Sequence, residues 1–189
     1  MESKPDFRTP PRALSIGMYL FLASLSMLFL SSMLGYVLIR LHHPEFTAKL
    51  PDSLWGSTAI LLIGSFMIHR AVVNVRRERQ KPFRRDVYIT LFLAIAFLCV
   101  QTPSMAYILR QHSALGGAPN NLYGLVFFLI MIHALHVVGG VIAMIIVAVR
   151  AGMGKYDHEA NMGVRHAALY WHFLDIVWII MFSMLLIAG

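Results

Sequence analysis

The chain has 189 residues, 58% of them hydrophobic and 13% charged, with a formal net charge of +7 and a single cysteine. Its mean hydropathy is +0.68, and apolar runs of the roughly twenty residues that a bilayer demands recur along it, which excludes a soluble globular protein. Cys99 has no second cysteine to pair with, so no intrachain disulfide is available.

The first apolar run, residues 14–39, is too long for a signal-peptide core and reads as a retained span. Four more follow at 54–75, 87–109, 122–149 and 166–188. Between them lie short connections marked by Pro44 and Pro51, by the basic run at 76–85, by Gly116, Gly117 and Pro119, and by the glycines of 151–165. The expectation is an all-α integral membrane bundle of five transmembrane helices forming one domain over 1–189, without internal repeats. Pro103 should distort the third span just after Gln101.

With five spans, the N-terminus and the second and fourth connections share a side. That side holds Lys4, Arg8, Arg12, Arg70, Arg76, Arg77, Arg79, Lys81, Arg84, Arg85, Arg150, Lys155 and Arg165, against Arg40, Lys49 and Arg110 on the other. Thirteen basic residues against three place the N-terminus in the cytoplasm and the C-terminus outside. The net charge is therefore a topology signal that needs no nucleic acid, and Arg76 and Arg77 begin a run suited to anionic lipid headgroups or a neighbouring subunit.

Polar residues inside the spans carry the remaining information. His133 and His136 lie three apart on the fourth span, as do His172 and Asp175 on the fifth, and Gln101 sits past the middle of the third. Each spacing puts two side chains on one helix face. Hydrocarbon offers no partners, so these groups should turn inward as a structural polar layer of Gln101, His133, His136, His172 and Asp175. Gly139 and Ala143 mark a place where a second helix can approach closely. A ligand role competes with the structural one: His133 or His136 with His172 would serve an electron-transfer haem, and Asp175 with the histidines would serve a metal or a proton-linked transporter. The donor set is thin for this, since Glu2, Glu45, Glu78 and Glu159 all fall outside the spans, and His42, His43, His112 and His158 lie in connections.

HALHVVGG at 133–140, a short glycine-containing connection, and AALYWHFLDIVW at 167–178 together resemble the end of subunit III of the haem-copper oxidases, the cytochrome c oxidase subunit III family, whose members typically show HGLHV and YWHFVDVVW at this separation. YLFLASL at 19–25 and LPDSLWGSTAILLIGS at 50–65 resemble earlier family segments more loosely, and five spans match the short form of the family. The resemblance implies a non-catalytic accessory subunit of a cytochrome c or quinol oxidase in the bacterial cytoplasmic membrane. It would pack on subunit I, hold phospholipid, contain no metal or cofactor of its own, and leave haem, copper, dioxygen reduction and proton translocation to its partners. It further implies that His133, His136, His172 and Asp175 are structural motif positions, and that Tyr170, Trp171 and Trp178 contact lipid or other helices. Leu25 stands where the family usually has a membrane carboxylate, Arg165 where many members have glutamate, and Ala134 where they have glycine. These departures mark a divergent branch and keep in view the subunit III-like protein associated with nitric oxide reductase.

Overall fold

The computed structural model describes residues 11–42, 53–114, 120–156 and 161–188, and among them there is no strand. Five helices follow one another: α1 (Pro11–His42), α2 (Ser53–Arg76), α3 (Gln80–Ala114), α4 (Asn120–Gly152) and α5 (Met162–Ala188). Each contains a segment long and apolar enough to cross a membrane, namely Ala13–His42, Leu54–Arg76, Gln80–Ser104, Gly124–Gly152 and Met162–Ile187. Lys4, Arg8, His43, Lys49 and His158 lie outside the described residues.

The helices overrun the apolar stretches because backbone hydrogen bonding continues into a polar flank where hydropathy no longer marks it. The largest overrun is at the start of α3, where the basic run is mostly helical and the connection shrinks to residues 77–79. α2 ends in a Schellman motif: the Arg79 N–H donates to the Asn74 carbonyl at 3.0 Å and the Glu78 N–H to that of Val75 at 3.2 Å, with Glu78 at φ 56°. Pro82 is the third residue of α3, where its missing N–H is one that no helix uses. α4 closes the same way, with Lys155 donating to Arg150 at 3.0 Å, Gly154 to Ala151 at 3.1 Å, and Gly154 at φ 69°.

α2, α3, α4 and α5 pack in a ring, each against the next, and α1 lies outside it on α4 and α5. α1 accordingly turns Leu20, Met27 and Leu34 outward and buries a stripe of Leu22, Leu25, Phe29, Met33 and Tyr36. The ring is filled by aromatic side chains. Trp178 meets Phe97 edge-on at 5.7 Å and lies parallel to Phe182 at 6.1 Å, and the exposed Trp55 covers Phe182 from outside at 5.2 Å. Such pairs contribute about 0.5–1.5 kcal/mol each beyond area burial, which matters in lipid, where apolar burial alone does not drive helices together.

α3 continues as helix through Pro103, and the hydroxyls beside it take up backbone carbonyls: Thr102 donates to Leu98 at 2.8 Å and Ser104 to Val100 at 3.0 Å. The close approach of α4 to α5 centres on Gly140. A Cβ there would stand 3.2 Å from a Leu174 methyl and 3.4 Å from the Tyr170 ring, whereas at Gly139 its nearest neighbour would be the Tyr170 hydroxyl at 3.6 Å.

Candidate functional site

The intramembrane polar residues fall into two groups. The first joins α2 to α5. The Ser65 hydroxyl and His172 Nδ1 are hydrogen-bonded at 2.7 Å, and the same nitrogen lies 3.8 Å from an Asp175 carboxylate oxygen, beyond hydrogen-bond range. Asp175 is buried at 4% exposure, and neither of its oxygens has a hydrogen-bond partner. The carboxyl faces the bundle, one helical turn from His172, and His172 spends its hydrogen bond on a serine of the neighbouring helix. His69 of α2 stands nearby, its ring centre 6.1 Å from that of His172.

The second group sits toward the other end, around Trp178. Its indole N–H donates to the Thr58 hydroxyl at 3.0 Å, and that hydroxyl donates to the Leu54 carbonyl at 2.8 Å, so α5 is bound to α2 through one bifunctional oxygen. The His133 ring lies against Trp178 at 5.2 Å and near Phe29 at 6.1 Å; it is buried, and both its nitrogens lack partners. His136 is hydrogen-bonded through Nδ1 to the Ile132 carbonyl of its own helix at 2.7 Å, with its ring edge-on to Phe29 at 5.5 Å. The Tyr170 hydroxyl donates to the His136 carbonyl at 3.0 Å and so ties α5 to α4. Outside this group, Gln101 is buried with its Oε1 unpartnered, and the Trp171 indole nitrogen, also without a partner, lies against α2 at Gly64. Tyr170, Trp171 and Trp178 are thus all interior side chains, while Arg76 and Arg77 are exposed at the α2–α3 turn.

At the basic end of the bundle is a fastening that hydropathy gave no reason to seek. Asp86 is fully buried and receives two hydrogen bonds from the Arg70 guanidinium, one of them 2.8 Å long, and another from the Asn74 amide at 2.8 Å; Arg85 Nε lies 3.7 Å away. Arg70 and Asp86 are each eight residues from Glu78, and an antiparallel hairpin turning at that residue sets them level. That symmetry was the available signal. Ser65 and Thr58 gave none, because serines such as Ser24 and Ser32 on the exposed face of α1 bond their own i−4 carbonyls and serve no second helix.

For metal or haem chemistry the geometry is poor. His133 is packed between aromatic rings, His136 is bound to its own backbone, and His172 belongs to the other group. Among the described residues, no three His, Cys, Asp or Glu side chains gather as ligands.

Fold and site define a multi-pass helical membrane protein in which several intramembrane polar groups join helix to helix. The family model described as cytochrome c oxidase subunit III matches residues 8–189. The chain is similar to the cytochrome c oxidase subunit 3 of Thermostichus vulcanus, 31% identical over 97% of this chain and 88% of that one. It is also similar to that of Synechocystis, 31% identical over 94% and 74%, and to the probable cytochrome c oxidase subunit 3 of Mycobacterium leprae, 30% identical over 93% and 88%. This chain belongs to the cytochrome c oxidase subunit III family of the haem-copper oxidases, and is a subunit of an oxidoreductase complex that includes other oxidase subunits. A stand-alone haem carrier is not favoured.

Proposed function

We infer that this chain is a non-catalytic accessory subunit of a respiratory terminal oxidase. It docks on the catalytic subunit I, which with its partners holds haem and copper, reduces dioxygen and moves protons, and it lies in the bacterial cytoplasmic membrane with its N-terminus inside and its C-terminus outside. One observation carries this reading: polar side chains within the spans tie one helix to the next, as in Ser65 with His172, Trp178 with Thr58 and Tyr170 with His136.

Lipid retention has its own support. A groove of about 420 Å³ runs between α1, α4 and α5, with walls that include Met18, Phe21, Ala143 and Tyr170, and with Arg150 and His166 at its basic end. An acyl chain suits the walls, and an anionic headgroup suits the arginine.

Deletion of the chain from the oxidase, followed by spectroscopy and prolonged turnover, tests the proposal. Unchanged haem spectra and initial rate, with loss of bound lipid and faster decay of activity, are expected. A deletion complex with full lipid content and undiminished durability would overturn the role.

A further inference from the structure

Asp175 is the residue that the fastening role leaves unexplained. It is the carboxyl group at the middle of α5, thirteen residues beyond Met162, and neither oxygen makes a hydrogen bond, although His172 Nδ1 stands 3.8 Å away. A carboxylate without hydrogen bonds in hydrocarbon is costly, and an ionisable group kept at such depth points to a functional site.

The second observation is a cleft of about 230 Å³ at the basic end, between α1, α2 and α5. Its walls include Tyr19, His69, Arg76, Arg165 and His166, and at its inner end lies His172. His172 is ten residues along α5 from Met162, about 15 Å at the helical rise, so polar space extends well into the bundle. The His172 side chain is 34% exposed while that of Asp175 is 5% exposed, which puts the imidazole at the boundary between the cleft and the dry interior. The Ser65 hydroxyl, bonded to His172 Nδ1, also lies beside the Asp175 carboxyl. The titratable groups facing this region come from α2 and α5, namely His69, His166 and His172 with the arginines Arg76 and Arg165, together with Tyr19 of α1. From α4, Gly139 and Gly140 face the neighbouring turn of α5.

We propose that Asp175 is a proton-binding site loaded from the basic end of the bundle through the cleft, with His172 and Ser65 as the relay. A hydronium ion in the cleft gives a proton to the imidazole at Nε2 and is left as water. The Nδ1–H passes its proton to the Ser65 oxygen as the serine hydroxyl proton moves to the carboxylate. The imidazole is left neutral with its proton on the cleft side, the carboxyl is left protonated, and no electron moves. Release runs the same steps backward. Asp175 holds this proton whether or not the chain also serves as an accessory subunit, so failure of either idea leaves the other standing.

Infrared spectroscopy of the membrane complex containing this chain tests the assignment. The wild type should show the C=O stretch of a protonated carboxyl that is missing in Asp175→Asn and shifts down on transfer to D2O, and His172→Phe should slow that shift at least tenfold. Identical spectra for wild type and Asp175→Asn would overturn the site; an unchanged exchange rate in His172→Phe would overturn the route. Should His172→Phe not assemble, Leu169→Trp fills the cleft and leaves Asp175, Ser65 and His172 in place. It should slow exchange to the same degree, and an unaltered rate there equally refutes the route.

Discussion

Trp178 and Thr58 offer the sharpest test of whether single hydrogen bonds fasten this bundle. The indole is fully buried, and its N–H reaches one acceptor, the Thr58 hydroxyl at 3.0 Å. Thr58→Val keeps the shape of the side chain but leaves the indole N–H unpaired in a dry interior, a loss of about 1–3 kcal/mol. Trp178→Phe removes the donor and part of the ring, while keeping aromatic contact with Phe97 and Phe182. Once the donor is gone, Thr58→Val should cost little more. The double-mutant cycle should therefore give a coupling of about 1–1.7 kcal/mol, where the cost of the unpaired indole N–H overlaps the upper end of interhelical hydrogen bonds measured in bilayers, whose average is about 0.6 kcal/mol. The assay is equilibrium unfolding of wild type, both single variants and the double variant in mixed micelles. Coupling below about 0.3 kcal/mol, within the error of additivity, would refute the reasoning.

Three further outcomes follow from the packing. Gly140→Leu should overpack the α4–α5 contact, where a Cβ already meets Leu174 at 3.2 Å, and lose about 1–3 kcal/mol; Gly139→Ala, whose Cβ would make an ordinary contact with the Tyr170 hydroxyl at 3.6 Å, should be near neutral in the same unfolding assay. Gly154→Ala forces a side chain into the left-handed conformation at φ 69° and to 3.3 Å from Arg84, so it should cost about 1–2 kcal/mol, read as a lower thermal midpoint of the purified complex. Asp86→Ala removes the acceptor shared by Arg70 and Asn74, and should lower the amount of assembled complex on a native gel. Asp86→Asn should recover part of that loss, since one acceptor oxygen remains.

The five helices were legible because hydrocarbon thickness imposes a length that few other constraints produce, and because proline and glycine mark the gaps between runs. Their ends were not, for a physical reason visible at α3: the segment from Gln80 to Asp86 is helical by backbone hydrogen bonding but too charged to register as apolar. Reading it as a connection hid the Arg70 and Asp86 clamp. The polar residues on α4 and α5 stood out by depth, and all of them prove interior or part-buried. Their partners did not stand out, since i, i+3 spacing fixes a face and not the neighbour across it. His136 turns to its own backbone, His133 to the Trp178 ring, and His172 to a serine 107 residues away. The YWHFLDIVW segment was legible as a unit, yet only the fold separates Tyr170, Trp178 and His172, which tie helices together, from Asp175, which has no hydrogen-bond partner.

The central claim is that the histidines of α4 and α5 ligate no redox cofactor and that such cofactors reside in other chains of the complex. The visible absorption spectrum of this subunit, separated from its haem-bearing partners in mild detergent, tests it most directly. The account predicts no Soret band in the isolated subunit and a full haem complement in the fraction that retains the partners. A Soret band that stays with this chain and disappears in His133→Leu or His172→Leu would contradict it.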